Sequence, residues 1–335
     1  MRSTVSSLVA RMALAGGRNL GLLVTVILAL LLIALFSPRY LSVDNLIVVA
    51  LQVSFVGIAS LGTACLIISG NVDLSIGSQY ALCAVTAAML AKMLPSPVAW
   101  ISGIALGAIL GLIDGLMVWR IHISPIIVTL GTLTIFRGVA LRVTNGFGVR
   151  GVPKSFSIFG QSRFFGVPMP VWVLVALAIV AHVVLHSTTQ GRHLFAFGGN
   201  RQASEAAGIS GKRVVLTTFA SNGILVGITA VLAASRIGSA APTFGVGFEL
   251  DVIAAVILGG VAFTGGEGTV VGVLLAVVLL GIVNSGLISV GVDPHYAEMV
   301  KGGALVVAVT LDQLTQEQQE RHRKALAIQE RSTVA

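Results

Sequence analysis

The sequence predicts an all-α, polytopic integral membrane protein with about ten transmembrane helices. Of its 335 residues, 56% are hydrophobic and only 10% are charged, whereas soluble globular chains carry about 25% charged residues. The mean hydropathy is +0.97, and apolar runs of roughly 20 residues, enough to cross a bilayer core, recur along the chain. This composition argues against a water-soluble enzyme, a disordered chain and a nucleic-acid-binding domain.

Ten apolar runs are the candidate spans. They are residues 20–36, 46–69, 74–91, 98–119, 125–144, 168–186, 214–234, 250–265, 269–290 and 295–311. The run 250–265 is short, and the break near 70–73 is slight. All nine prolines fall between these spans or at their ends, as expected for a residue that disrupts helix interiors.

The placement of lysine and arginine predicts that both termini are cytoplasmic. With the N-terminus inside, twelve of these residues fall in inside segments and six in outside loops, in agreement with the positive-inside rule. The chain then divides into an N-terminal segment (1–19), a transmembrane domain (20–312) and a C-terminal tail (313–335). The longest cytoplasmic loop covers about residues 187–213.

Motifs for enzymatic chemistry are absent or out of context. The sequence has no GxxxxGK[ST] phosphate loop, no GxSxG elbow and no HExxH zinc motif. The glycine pattern at 146–151 fits a dinucleotide fingerprint but follows a membrane helix instead of a strand. His182 and His186 share a helix face but have no third ligand, which favours interfacial histidines over a metal site. We therefore expect no catalytic centre, metal or cofactor in this chain.

Polar residues interrupt the apolar sequence between the second and third spans. Asn71, Asp73 and Ser75 lie there, and a carboxylate at membrane depth must face protein or water, which makes it a functional candidate. An equally good interpretation is a short cytoplasmic turn in which Asn71 or Asp73 caps the next helix.

Arg137 lies about two-thirds of the way along the fifth span. A charged side chain at this depth is not expected to face lipid. We expect it to line a wet cavity or to pair with an acid, and Glu249 and Asp251 are the nearest candidates along the predicted topology.

Four glycines recur every four residues along the fourth span, at Gly103, Gly107, Gly111 and Gly115. This spacing places them on one helix stripe, where small residues allow close backbone approach between membrane helices. The stripe is either a dimer seam or a packing surface for another span of the same chain, and the second interpretation is favoured.

A short helix is predicted inside the cytoplasmic loop. Asn200 can cap its start, and Gly208 supplies a left-handed end. An exposed helix of small residues can enter a groove on another protein, although a solvated connector is the alternative. The candidate contact residues are Asn200, Arg201, Ser204, Glu205, Ala206, Ala207 and Gly208.

This loop and four further stretches resemble permease subunits of the ribose/xylose/arabinose class of bacterial ABC sugar importers. The stretches are GNVDLSIGS (70–78), TLGTL (129–133), GGN with AAGI (198–200 and 206–209), GFELDVIAAVILGG (247–260) and GGEG (265–268). The resemblance runs from about residue 45 to 312. One departure is Gly70-Asn71, where relatives often carry a paired glycine, so the role of Asn71 transfers less directly.

The resemblance implies a multi-pass permease of the bacterial cytoplasmic membrane that translocates a pentose, hexose or related sugar. It implies a second permease copy, identical or related, and two copies of a cassette ATPase that binds ATP and Mg²⁺. An extracytoplasmic sugar-binding protein would deliver the substrate, and the helix from Asn200 to Gly208 would transmit nucleotide-driven closure. A secondary transporter driven by an ion gradient is the alternative; there, Asp73 would hold the coupling ion, and the long loop would have no evident role.

A neutral sugar needs hydrogen-bonding groups that are uncharged or mutually paired along its path. The candidate path residues are Asn71, Asp73, Ser75, Gln79, Thr129, Thr132, Arg137, Asn222, Glu249, Asp251 and Asn284. For any one of them, a packing role is an equally good interpretation, with a hydroxyl bonded to a backbone carbonyl of its own helix.

Overall fold

The structure, a computed structural model, describes residues 2–293 together with positions 296, 299, 302 and 303. The predicted tenth span (295–311) is outside this described part except at those isolated positions. The predicted cytoplasmic tail (313–335) lies wholly outside it.

The described chain is almost entirely helical. Its helices are α1 (Arg2–Phe36), α2 (Val43–Ile68), α3 (Ile76–Leu90), α4 (Ser96–Ile121), α5 (Pro125–Thr144), α6 (Lys154–Gln161), α7 (Met169–Ser187), α8 (Thr189–Gly199), α9 (Arg201–Ala206), α10 (Gly211–Ile237), α11 (Phe248–Leu258) and α12 (Val270–Ser289). A 3₁₀ helix covers Pro38–Leu41. Strands β1 (Arg163–Phe164) and β2 (Val167–Pro168) form an antiparallel hairpin before α7.

Seven helices of the described part are long and apolar enough to cross a membrane: α1 through its segment Asn19–Phe36, α2, α4, α5, α7, α10 and α12. The protein is therefore a helical, polytopic integral membrane protein, as the composition predicts. The count of ten spans and the cytoplasmic placement of the termini stay predictions. In the most apolar part of α2 and α10, 56% and 61% of the residues are buried, against 6% in α1, so α2 and α10 form the centre of the bundle.

Two predicted spans are shorter than a bilayer requires. Helix α3 has 15 residues and α11 has 11, whereas about 20 are needed to span the core. The expectation of one continuous helix over 250–265 is wrong, because α11 ends at Leu258 and no helix resumes before Val270. Gly260, Gly265 and Gly266 have positive φ in that interval, a backbone conformation that glycine adopts without strain.

The break between α2 and α3 is buried. Gly70 has a φ of +77° there, and Asn71, Asp73 and Ser75 are 6%, 0% and 0% exposed. Non-helical backbone at membrane depth is tolerated where protein surrounds it. The break is thus a broken-helix segment inside the protein and not a solvated turn.

The glycine stripe of α4 faces α10. Gly103, Gly107, Gly111 and Gly115 all lie against that helix. A Cβ at Gly107 would overlap the carbonyl oxygen of Gly223, and one at Gly111 would overlap that of Phe219. The two backbones therefore touch, and this surface is used for packing within the chain.

Candidate transport and coupling sites

A buried polar network surrounds Asp73 at the α2–α3 break. Oδ1 of Asp73 accepts hydrogen bonds from the Ser75 backbone N–H (2.8 Å) and the Ser75 hydroxyl (2.6 Å). Its Oδ2 accepts from Gln79 Nε2 and Asn222 Nδ2, each at 3.0 Å. Both carboxylate oxygens are therefore fully used, and they join the start of α3 to the middle of α10.

Asp114 of α4 is the second carboxylate of this network. Its Oδ2 lies 2.9 Å from the Ser75 hydroxyl and 3.1 Å from Gln79 Nε2, so these two groups bridge Asp73 and Asp114. On the other side, the Thr63 hydroxyl donates to Asn222 Oδ1 at 3.2 Å. Both aspartates are 0% exposed, and no cationic side chain of the described chain contacts the network.

Two oxygens of the network have no hydrogen-bond partner in the described part of the chain. They are Asp114 Oδ1 and Gln79 Oε1. The network therefore has more acceptors than donors. A buried polar atom without a partner is destabilising. The structure thus places four predicted path residues, Asp73, Ser75, Gln79 and Asn222, in one closed cluster.

Other predicted path residues bond mainly to nearby backbone. The Thr129 hydroxyl donates to Pro125 O at 2.8 Å, and the Thr132 hydroxyl donates to Thr129 O at 3.3 Å. Thr132 also interacts with Asp114. Asn71 Nδ2 donates to Ser69 Oγ at 3.0 Å. The two threonine hydroxyls thus bond within their own helix, while Asn71 bonds within the α2–α3 break.

Arg137 binds the segment that precedes α11. Its Nη1 donates to the carbonyl oxygens of Pro242 (2.6 Å) and Phe244 (2.7 Å). Glu249, in the first turn of α11, is close enough to interact electrostatically with the guanidinium, but the direct bonds go to carbonyls. Arg137 therefore fastens this segment to α5, and Glu249, one of the two acids expected near it, interacts with it electrostatically.

A cavity of about 320 Å³ lies between α2, α11 and α12, and Gly302, within the predicted tenth span, also lines it. It brings together two predicted path residues, Asp251 and Asn284, with Gln52, which the sequence analysis missed. The signal for Gln52 was a lone carboxamide inside an otherwise apolar run. No residue of the closed cluster around Asp73 lines this cavity.

The predicted loop contains two helices instead of one. Thr188 caps α8 by accepting from the Gly191 N–H at 3.2 Å, a cap that the sequence analysis overlooked. Asn200 then caps α9 by accepting from the Ala203 N–H at 2.9 Å, and Gly208 follows with a φ of +87°. These local features match the sequence-based expectation for the short helix.

Helix α9 is held to the bundle at its N-terminal end. The Arg201 guanidinium lies 5.4 Å from the ring centre of Trp119, at the end of α4, and 5.3 Å from that of Phe197 in α8. Its Nε is 3.2 Å from Glu205 Oε1. Ser204 is buried, whereas the other residues from Arg201 to Gly208 are exposed, so α9 is anchored but presents most of its surface outward.

Five glycines join α8 to the two interrupted segments. This glycine junction consists of Gly70, Gly198, Gly199, Gly265 and Gly266. The Gly266 N–H donates to Ile68 O at 2.8 Å, and a Cβ at Gly198 would overlap that same carbonyl oxygen. A Cβ at Gly265 would lie 3.0 Å from Gly198 O and from Gly70 N. The three backbones are therefore in direct contact, with no room for side chains.

Known proteins match most of this sequence. The family described as "Branched-chain amino acid transport system / permease component" matches residues 45–309. The ribose import permease protein of Escherichia coli (strain K12) is 34% identical over 295 residues, which cover 87% of this chain and 92% of that protein. The corresponding protein of Bacillus subtilis (strain 168) is 36% identical over 302 residues, covering 88% and 92%.

A relative named for another sugar shows similar agreement. The L-arabinose transport system permease protein of Escherichia coli (strain K12) is 32% identical over 300 residues, covering 88% of this chain and 90% of that protein. These matches span the α2–α3 break, the loop helices, the glycine junction and the cavity helices. The chain therefore belongs to the family of permease subunits of ribose-type ABC sugar importers.

Proposed function

We propose that this chain is the membrane-spanning subunit of an importer that moves a monosaccharide into a bacterial cytoplasm. A partner cassette ATPase binds ATP and Mg²⁺ and drives the cycle, while an extracytoplasmic binding protein delivers the sugar. A second permease copy completes the membrane part in the cytoplasmic membrane. The relatives named for ribose and L-arabinose support a sugar as the cargo.

The observation that carries this proposal is the exposed α9 helix with its link to the bundle. Ala203 and Ala206 lie on one exposed face of α9, since residues three apart are neighbours on a helix, and Ala207, directly after the helix, is exposed beside them. A surface of methyl groups admits close approach by a partner protein. Such a helix is suited to dock in the ATPase subunit.

The glycine junction supplies the path for a movement of α8 and α9. Gly198 touches the Ile68 carbonyl at the end of α2, and Gly199 lies against Gly266 in the α11–α12 segment. Because these contacts join backbone to backbone, a displacement of α8 is not absorbed by side-chain rotation. The motion reaches the broken segments beside α3 and α11.

The test is a substitution on the exposed face of α9. Ala206→Arg places a long charged side chain where the ATPase is proposed to dock, and Ala206→Ser is the matched control because it stays small. Both variants are co-expressed with the partner cassette ATPase and purified as a complex.

Ala206→Arg should abolish the ATPase stimulation caused by the sugar-loaded binding protein, while insertion in the membrane stays normal. Ala206→Ser should retain that stimulation. Full stimulation in the Ala206→Arg complex would show that α9 does not couple the two subunits.

A further inference from the structure

The cavity between α2, α11 and α12 has the composition of a site for a small polyhydroxyl ligand. One polar side chain enters it from each helix: Gln52, Asp251 and Asn284. The remaining wall is largely aliphatic and includes Val53, Val56, Leu250, Ala254, Val277 and Leu280. Its volume of about 320 Å³ is at the lower end of the range for small-molecule sites, which suits a monosaccharide.

The polar groups match the chemistry of sugar hydroxyls. Each carboxamide, on Gln52 and Asn284, offers two N–H donors and one carbonyl acceptor, and a carboxylate offers acceptors. A hydroxyl both donates and accepts, so it can bond to either kind of group. The aliphatic wall then contacts the C–H faces of the sugar ring. Because the polar contacts are few, the sugar binds weakly enough to be released.

The closed cluster around Asp73 does not offer this chemistry. Its side chains are 0% exposed, and both oxygens of Asp73 already accept hydrogen bonds from the chain itself. A sugar entering there would have to displace these bonds and the packing around them. The side chains of Gln52 and Asn284 line the cavity and make no hydrogen bond within the described part of the chain, so a sugar can bond to these two carboxamides without that penalty.

Two helices, α2 and α11, connect the cavity with the glycine junction. Gln52 precedes Ile68 by sixteen residues on α2, or about 24 Å at 1.5 Å per residue. Helix α11 connects the two places, because Asp251 and Ala254 line the cavity and the α11–α12 segment that follows contains Gly265 and Gly266. In the predicted orientation the cavity lies in the extracytoplasmic half of the bundle.

We propose that this cavity is a monosaccharide-binding site on the translocation path, with Gln52 and Asn284 as the residues that bond to sugar hydroxyls. The inference rests on the proposed function and assigns its substrate contacts to the α2–α11–α12 side of the molecule. The α3–α4–α10 cluster around Asp73 then has a structural role.

Cysteine accessibility tests the site in the assembled complex. Cys65→Ser and Cys83→Ala remove the native thiols, and Gln52→Cys and Asn284→Cys are each introduced into that background. Ile179→Cys is the matched control, since Ile179 is 60% exposed in the middle of the apolar helix α7 and does not line the cavity. A membrane-impermeant methanethiosulfonate reagent is applied to vesicles with the ATPase and the binding protein present.

The reagent should label positions 52 and 284, saturating D-ribose or L-arabinose should slow that labelling, and modification should cause loss of uptake. Position 179 should stay unlabelled. The inference is overturned if positions 52 and 284 are no more reactive than position 179, or if labelled complexes transport at the unlabelled rate. Absence of uptake in the unmodified complex would instead contradict the proposed function, because the labelling pattern is measured independently.

Discussion

At the scale of single residues, Asp73 and Asp114 occupy the same cluster but face different neighbours. Both carboxylate oxygens of Asp73 accept hydrogen bonds from N–H or O–H donors. Asp114 uses Oδ2 only, and its Oδ1 has no donor in the described part of the chain. The same substitution should therefore destabilise the protein more at Asp73 than at Asp114.

Asp73→Asn should destabilise the protein, because its new NH₂ group would point at existing donors and leave them without an acceptor. Breaking buried hydrogen bonds in this way costs about 1–3 kcal/mol. Asp114→Asn should cost less, because its NH₂ group can take the place of Oδ1, which accepts no hydrogen bond, while the amide oxygen keeps the two contacts of Oδ2. The check is the thermal unfolding midpoint of each purified variant in detergent, and an equal drop in both variants would contradict this description of the cluster.

Residue patterns predicted part of this cluster. A carboxylate at membrane depth had to face protein or water, which singled out Asp73. Its partners could not be deduced, since Asn222 lies 149 residues away along the chain and only packing of α10 on α3 brings it there. Gln52 was missed because one amide in an apolar span equally well serves as a hydrogen-bonding contact between helices.

At the scale of helices, the contact between α4 and α10 depends on glycine. Gly107→Leu should prevent the two backbones from touching, since even a Cβ at that position would overlap Gly223 O, and overpacking of this kind costs about 1–3 kcal/mol or more. We expect loss of monodisperse protein on size-exclusion chromatography. Gly138→Leu on α5 is the control, because a Cβ there meets no atom within 4 Å; equal behaviour of the two variants would show that the contact is not essential.

The glycine junction permits a comparison between adjacent residues. Gly198→Ala should reduce the coupling between ATP hydrolysis and uptake, because its Cβ would overlap Ile68 O, whereas a Cβ at Gly199 meets no atom within 4 Å. Sugar molecules transported per ATP hydrolysed should fall for Gly198→Ala and stay at the wild-type value for Gly199→Ala. If the ratio is unchanged in both, the junction does not transmit the motion of α8.

Hydropathy predicted the long helices well but not the interrupted ones. The run 250–265 stays apolar beyond the end of α11 at Leu258, so composition alone cannot show where the helix stops. Gly265 and Gly266, which have positive φ there, contact the end of α2 and α8, and these long-range contacts are not visible in the local sequence. Helix α9 was predictable because its cap and its terminating glycine are local signals.

At the scale of the whole molecule, the cavity and the coupling helix lie at opposite ends of one connected unit. Helix α2 lines the cavity with Gln52 and ends at Ile68, which contacts α8 and the α11–α12 segment. Helix α11 lines the cavity and leads into that same segment. The account therefore requires that movement at α8 and α9 changes the cavity.

The central claim is that ATP hydrolysis in a partner, and not an ion gradient, drives sugar uptake through this chain. The direct measurement is uptake of labelled D-ribose and L-arabinose into proteoliposomes that contain this chain, its cassette ATPase and the sugar-binding protein. We predict accumulation of at least one sugar only when ATP and Mg²⁺ reach the ATPase, with no loss when proton and sodium gradients are collapsed. Uptake by this chain alone that follows an imposed ion gradient and ignores ATP would contradict the account.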